Sequence, residues 1–565
     1  MTATADAPGA PHAPHAPGTY DVIVVGAGAG GGTAARVLTA RGRHVAVLEK
    51  GPLPASDDFL PYDELHFHTH KALIPHRDTD PNIYMAGPAQ DRPTRVERWW
   101  NVNMAGGATN VWDANVPRYT EEDFRVLDHL HDVPPDADMV NWPWNYGEFE
   151  PWFERAEYEW GVSGRARQSP AQEPLRAGYD YAMPPLRPHA AVPFLTEAFG
   201  RAGMRPYLGP RAINSRVYDG RPACSFCGFN QFFGCGLNSR ASALNTVLQR
   251  ALATGRCDLL TGHCVTRIVH EDGRVRGVMY RTEPGGPERF LGASQVVVSI
   301  QTIESARLFL VSQVPDPNRM IGHYLTYHTH GNAELTFPLQ PVWTGGGAQQ
   351  PSTAIGSLQL RDLYVVDDPA TPVTKAGKFS VYDPYTCVPP VRLVKAAALG
   401  PGRGGLWGED LYAYLDELRR QGGVYFSFTG EALSLYDNRV ELDPDVTDPW
   451  GMPAARIWYR HHAYDLAAAR YAIDRVVRVM EDAGGELRGY DVPGAENPGY
   501  GHVQGTLRAG TDPDASVLDE NCQSHTVSGL YVLDCAFMPT AGASNPTLTL
   551  LANAYRVCER LPDPD

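Results

Sequence analysis

Asp21-Val22-Ile23-Val24-Val25-Gly26-Ala27-Gly28-Ala29-Gly30-Gly31-Gly32 sets the fold class of this chain. Its first five residues read as a fully buried strand, rich in β-branched side chains and closed by glycine. A helix of small residues follows to about Arg41, and a second apolar strand, His44 to Leu48, ends in Glu49. The triplet Gly26-x-Gly28-x-x-Gly31 lies between strand and helix, the context that gives such a motif meaning. Gly26 permits the tight turn, Gly28 lets backbone approach a pyrophosphate, and Gly31 lets helix and strand pack closely. The helix N-terminus offers free N–H groups to phosphate oxygens. Glu49, 23 residues after Gly26, is placed to accept hydrogen bonds from adenosine ribose hydroxyls. Its charge would repel a 2′-phosphate, which argues against NADP. The loop alone does not separate FAD from NAD, nor either from a ligand-free packing turn.

Working outward, 565 residues (61.9 kDa) correspond to about three to four domains by length, although a large α/β enzyme holds as many in two interleaved ones. With 43% hydrophobic and 20% charged residues the chain can bury a core, which excludes wholesale disorder. A net charge of −16 argues against a nucleic-acid partner. Only five of the 49 basic residues are lysine, so arginine clusters carry little information. Residues 1–18, rich in Pro, Ala and His, read as a mobile tail without the pattern of a signal peptide. No run approaches the length of a membrane span. Nine cysteines, an odd and sparse set, point to a reducing cytoplasm.

Residues 52–100 and 130–220 are rich in Pro, Trp and Tyr and read as long excursions. A helix is expected over 236–254, then strands near 258–270, 275–282 and 294–299. Short runs broken by Gly and Pro across 331–460, such as Val424–Phe428 and Ala455–Tyr459, fit an antiparallel sheet. A helix over Tyr464–Ala483, a strand over 529–533 ending in Asp534, and a closing helix from Pro546 complete the pattern.

The C-terminal elements His502-x-x-Gly505-Thr506, Gly510-x-Asp512-Pro513, Asp534, Pro539-Thr540 and Asn545-Pro546-Thr547 together resemble the signature block of the glucose-methanol-choline (GMC) oxidoreductases. Gly106-Gly107-x-Thr109-Asn110 is similar to the family's flavin-contacting glycine pair. Asn438–Pro444 and Asp448-x-x-Gly451-x-Pro453 are similar to its substrate-domain strand and turn. The chain looks closest to the pyranose-oxidase and gluconate-dehydrogenase branch. The resemblance implies an α/β Rossmann-like FAD-binding domain (19–60, 101–125, 220–330, 495–565) and an α+β, antiparallel-sheet substrate domain (61–100, 126–219, 331–494). It implies a cofactor set of Gly26, Gly28, Gly31, Glu49, Gly106, Gly107, Thr109, Asn110, Val265, Asp534, Asn545 and Thr547. His502 would be the base that takes a hydroxyl proton while the geminal hydride passes to flavin N5, and an imidazole suits that task near neutral pH. Asn545 would orient the alcohol and, with Pro546, cap a closing helix whose positive end faces the flavin. The implied substrate is a small-molecule secondary alcohol of a sugar, glycoside, sugar acid or aminocyclitol, with oxygen or another acceptor reoxidising the flavin.

Some relatives attach FAD through a histidine in a Thr-His-Trp run; here Asn110-Val111-Trp112 stands instead, so FAD is expected to bind non-covalently. Cys224, Cys227 and Cys235 lack a fourth ligand, with Asn230 at one plausible ligand position, and read as a buried cysteine cluster, not a metal site. His66-Phe-His68-Thr-His70 shows no carboxylate partner and reads as a solvent-facing or lid row. His323, His328 and His330 read as structural packing. The alternatives within reach are a lyase of the same fold, an NAD-dependent dehydrogenase, a flavoprotein subunit passing electrons to a partner carrier, and an inactive scaffold.

Overall fold

Val22–Val25 (β1) is shielded from water along its whole length, as a strand covered on both faces must be. It pairs in parallel with Val45–Glu49 (β2) and Gln295–Val298, and these in turn with Cys257–Thr261 and Leu530–Val532. With Cys257–Thr261 as β3, Gln295–Val298 as β4 and Leu530–Val532 as β5, the sheet order is β5-β4-β1-β2-β3. This computed structural model describes residues 20–59, 80–85, 94–96, 101–188, 191–227, 233–338, 358–382, 405–492, 494 and 501–563. The leading tail and His66, His68 and His70 lie outside the described residues, as does Asn230. Ala29–Ala40 (α1) covers β1, and Thr302–Val311 (α2) leaves the end of β4. Thr547–Arg560 (α3), buried over most of its surface, packs against α1.

A second, six-stranded sheet is antiparallel throughout, in the order Glu486–Asp491, Thr329–Pro338, Gln421–Gly430, Gly377–Tyr382, Leu358–Leu360, Tyr207–Leu208. One face buries Leu335, Phe379, Val381, Phe426 and Phe428 beneath Ala472, Ile473 and Val476 of the helix Ala463–Asp482. Alternation along Gly377–Tyr382 therefore turns Lys378 and Ser380 the other way, toward the site described below.

The antiparallel stretch expected over 331–460 divides. Arg439–Thr447 and Pro453–Trp458 pair with each other and join Asn82–Met85 and Thr94–Val96 in a separate sheet. Gly408–Arg420 is a helix, with Glu409 and Asp410 in its first turn, where acidic side chains favour helix initiation. The helix expected from residue 236 begins only at Leu244. Ser242 and Asn245 exchange side-chain-to-backbone hydrogen bonds of 2.8 and 3.2 Å across its first residues. The aromatic-rich stretch 130–220 places Trp142, Trp144 and Phe149 in the core against Phe124 and Phe537. No helix among the described residues is long and apolar enough to cross a membrane.

Candidate active site

A cavity of about 380 Å³ runs from the end of β2 to the start of α3. Glu49, Gly26, Gly28, Gly107, Thr109, Val265, Asp534, His502, Asn545 and Thr547 all line it. Gly26 turns at φ +95, and a Cβ there would stand 2.3 Å from the Ser299 carbonyl oxygen. A Cβ on Gly31 would meet the Gly26 carbonyl oxygen at 2.0 Å, so α1 rests directly on the turn. Gly28 differs, because a Cβ there would meet nothing within 4 Å and would fill the cleft itself. The Glu49 carboxylate accepts hydrogen bonds from the Ala27 and Gly51 N–H groups at 2.9 and 2.8 Å. Burial pushes its pKa up.

Gly31, Gly106 and Asn110 stand behind the lining. Asn110 Nδ2 donates to the Ala105 carbonyl (2.9 Å), and Thr109 Oγ1 accepts from the Ala243 N–H (2.9 Å), which ties the glycine pair down. Asp534 accepts from the N–H of Ile300 (3.1 Å) and of Ala536 (2.9 Å), joining the end of β5 to the segment that leads into α2. Asn101 Oδ1 and Gln301 Nε2 line the cavity buried and without a hydrogen-bond partner among the described residues. An open glycine, an uncapped helix N-terminus at Gly28 and two polar atoms awaiting partners fit a polar, phosphate-bearing dinucleotide.

At the other end of the cleft His502 occupies the left-handed region, φ +56, uncommon for a residue with a side chain. Its Nε2 lies 3.0 Å from Asn545 Nδ2, and its Nδ1 lies 2.9 Å from Nδ1 of His328. His328 Nε2 reaches the Ala541 carbonyl oxygen at 3.1 Å. His330 tilts over His502 with ring centroids 5.3 Å apart. Burial, then the neighbouring His328 and His330, then Lys378, hold His502 well below its ordinary pKa. Burial and its neighbours likewise push His328 to about 3 and His330 to about 4. All three rings are therefore neutral at pH 7, and His502 is able to receive a proton.

Asn545 does not cap α3. Pro546 occupies the capping position without a side-chain bond, and the Asn545 oxygen instead accepts from Lys378 Nζ (2.8 Å) and Asn115 Nδ2 (2.9 Å). His328 and His330, expected as packing, belong to the site; the alternation His328-Thr-His330 was the available signal. Lys378, Asn115 and Gln359 carried no sequence signal of their own. Val111 lies in the cavity wall. The cysteine cluster is not buried: Cys227 is exposed, and Cys224 and Cys235 are partly so. His323 stacks on Tyr436, away from the cleft.

Two models described as GMC oxidoreductase match residues 134–330 and 435–554, and one described as an NAD(P)-binding Rossmann-like domain matches 24–58. The chain is 30% identical to a 2-methyl-1,2-propanediol dehydrogenase of Mycolicibacterium austroafricanum, over 95% of this chain and 94% of that one. It belongs to the GMC oxidoreductase family. GMC oxidoreductases are FAD-binding flavoproteins, so the cofactor is FAD and the enzyme acts on CH–OH groups. This GMC oxidoreductase is also 28% identical to a 6'''-hydroxyparomomycin C oxidase of Streptomyces lividus, over 95% of this chain and 90% of that one. Pyridoxine 4-oxidase from Mesorbium loti shares the fold at 18% identity, with a TM-score of 0.61 over 96% of this chain and 99% of that one.

Proposed function

We propose that this enzyme oxidises a secondary alcohol of a sugar, glycoside, sugar acid or aminocyclitol to a ketone. The observation that carries the reading is the neutral, partly buried His502 with Nε2 beside the Asn545 amide at the inner end of the FAD cleft. In it, the substrate hydroxyl donates to His502 Nε2 and accepts from Asn545 Nδ2, so one side chain takes the proton while the other fixes the oxygen. FAD, when bound, supplies the acceptor for the hydride that leaves the same carbon. The names of relatives, among them the oxidase of an aminoglycoside and C-glycoside 3-oxidases, support a polyhydroxylated substrate. FAD is held non-covalently in this reading, because Val111 offers no linking atom.

Anaerobic absorbance of the flavin is the test, read against a panel of sugars, glycosides, sugar acids and aminocyclitols. Bleaching by members of the panel supports the reading. A compound that is cleaved while the flavin stays yellow identifies a lyase instead.

A further inference from the structure

Lys378 is completely buried in the strand Gly377–Tyr382, with Nζ 2.8 Å from Asn545 Oδ1 and 3.1 Å from Gln359 Oε1. An ammonium group donates and cannot accept, so both partners must present oxygen. Gln359 then turns its nitrogen to Asn115 Oδ1 at 3.1 Å. Asn115 in turn donates to Asn545 Oδ1 at 2.9 Å and to Ser380 Oγ at 3.3 Å. With two donors on its oxygen, Asn545 can offer His502 only an N–H, which makes Nε2 an acceptor. The imidazole hydrogen of neutral His502 is thereby placed on Nδ1, against His328 Nδ1, and the His328 hydrogen on Nε2, against the Ala541 carbonyl. The Gln504 amide, 3.0 Å from His328 Nε2, meets that hydrogen with its oxygen when its two ends are exchanged; its nitrogen then donates to the Tyr119 hydroxyl, from which its oxygen had accepted, and the 3.4 Å bond to the His502 carbonyl is given up. One orientation of the whole chain satisfies its donors, and it starts at Lys378.

We propose that Lys378 is a positioning residue: its ammonium fixes the amide of Asn545, and through it keeps Nε2 of His502 free of hydrogen and ready for the substrate's hydroxyl proton. This rests on the base assigned to His502 above. Burial lowers the Lys378 pKa to about 7, against the pull of Glu173 and Asp113 and with the push of Arg211 and Arg361. Below about that value the ammonium forces this orientation; the neutral amine keeps two N–H donors for the same oxygens but, with a lone pair of its own, no longer forbids the reverse. The charge has a second effect, since Lys378 with His328 and His330 disfavours protonation of His502.

The test compares the parent with Lys378→Met and Lys378→Arg in single-turnover anaerobic flavin reduction across pH, using an alcohol that bleaches the parent. Lys378→Met is expected to slow reduction about 10–100-fold with little change in substrate affinity. Its acid limb should move to higher pH, because a cation beside His502 has gone, and Lys378→Arg should return that limb toward the parent. Imidazole nitrogen NMR on isotope-labelled protein gives a readout independent of turnover. The hydrogen-free Nε2 signal that disappears in His502→Ala should be present in the parent and altered in Lys378→Met. If Lys378→Met fails to hold FAD, Lys378→Gln keeps a donor and removes only the charge, and its acid limb should still rise. Parental rate, limb and imidazole signal in these variants overturn the proposal while leaving His502 as base. A parent that no alcohol bleaches removes the reading beneath it.

Discussion

His502 sits among two further imidazoles and an ammonium, and each neighbour opposes its protonation. Its proton-accepting form is therefore the ground state, and the sign of the pH dependence follows. Flavin reduction should be flat through neutrality and fall only on the acid side, below the ordinary histidine value of about 6.5; an acid limb at or above that value contradicts the burial seen here. His502→Ala should lose about 10²–10⁴-fold in single-turnover reduction while FAD stays bound, because this ring stands at the far end of the cleft from Glu49. Loss of FAD with loss of rate would show that the histidine holds the cofactor instead. Glu49→Ala acts at that other end. It removes the acceptor for the Ala27 and Gly51 N–H groups and the one proposed for the ribose. A hydrogen bond to a charged group contributes about 1.5–3 kcal/mol, so the FAD dissociation constant should rise by roughly one to two decades in a titration of the apoprotein. His502, Asn545 and Glu49 were legible because each lies inside a motif of fixed spacing. Lys378 was not, since it meets Asn545 only across 167 residues of chain.

At the scale of elements, β1, β2 and the end of α1 were legible to within a residue or so, because their apolar runs answer to local geometry alone, while α1 starts at Ala29, inside the glycine run and not after it. The start of the helix at Leu244 was not, since the bonds between Ser242 and Asn245 outweigh the helical pattern before them. The strands of 331–460 were legible as strands, but their division between two sheets depends on partners such as Asn82–Met85, remote in sequence. The two glycines of the nucleotide turn now make opposite predictions. Gly31→Ala forces a methyl to within 2.0 Å of the Gly26 carbonyl oxygen, and such overpacking costs about 1–3 kcal/mol; the apoprotein itself should melt earlier. Gly28→Ala places its methyl in open cleft on a backbone at φ −79 that alanine accepts. The apoprotein should melt no earlier than the parent, and only FAD affinity should fall. Thermal melts with and without added FAD separate the two; equal destabilisation of both apoproteins would mean that Gly28 packs against protein, not cofactor.

The whole molecule brings the motif residues of the cleft, Lys378 and His330 of the antiparallel sheet, and His328 just before that strand to one seam, and holding neutral histidines there ties stability to pH. An unfolded histidine titrates near 6.5, whereas in the fold His328 is pushed to about 3 and His330 to about 4. Between those values the unfolded chain binds protons that the native state refuses, so acid favours unfolding. The contribution is complete above about 6.5 and is lost as pH falls from there toward the folded values. Asp465, which burial raises to about 7, acts with the opposite sign over part of the same range, so the total slope is no test. The difference between parent and variant is. His330→Asn keeps a polar side chain of similar reach and removes one titrating ring. Over pH 6.5 to 4 one proton of linkage corresponds to about 1.4 kcal/mol per pH unit, and the variant should lose stability toward acid less steeply than the parent by up to that slope. Urea midpoints measured at intervals across this range should therefore converge as pH falls, with the variant weaker or equal near neutrality and gaining on the parent in acid. Parallel curves would show that His330 titrates alike in both states, and that the seam around His502 is wetter than its packing indicates.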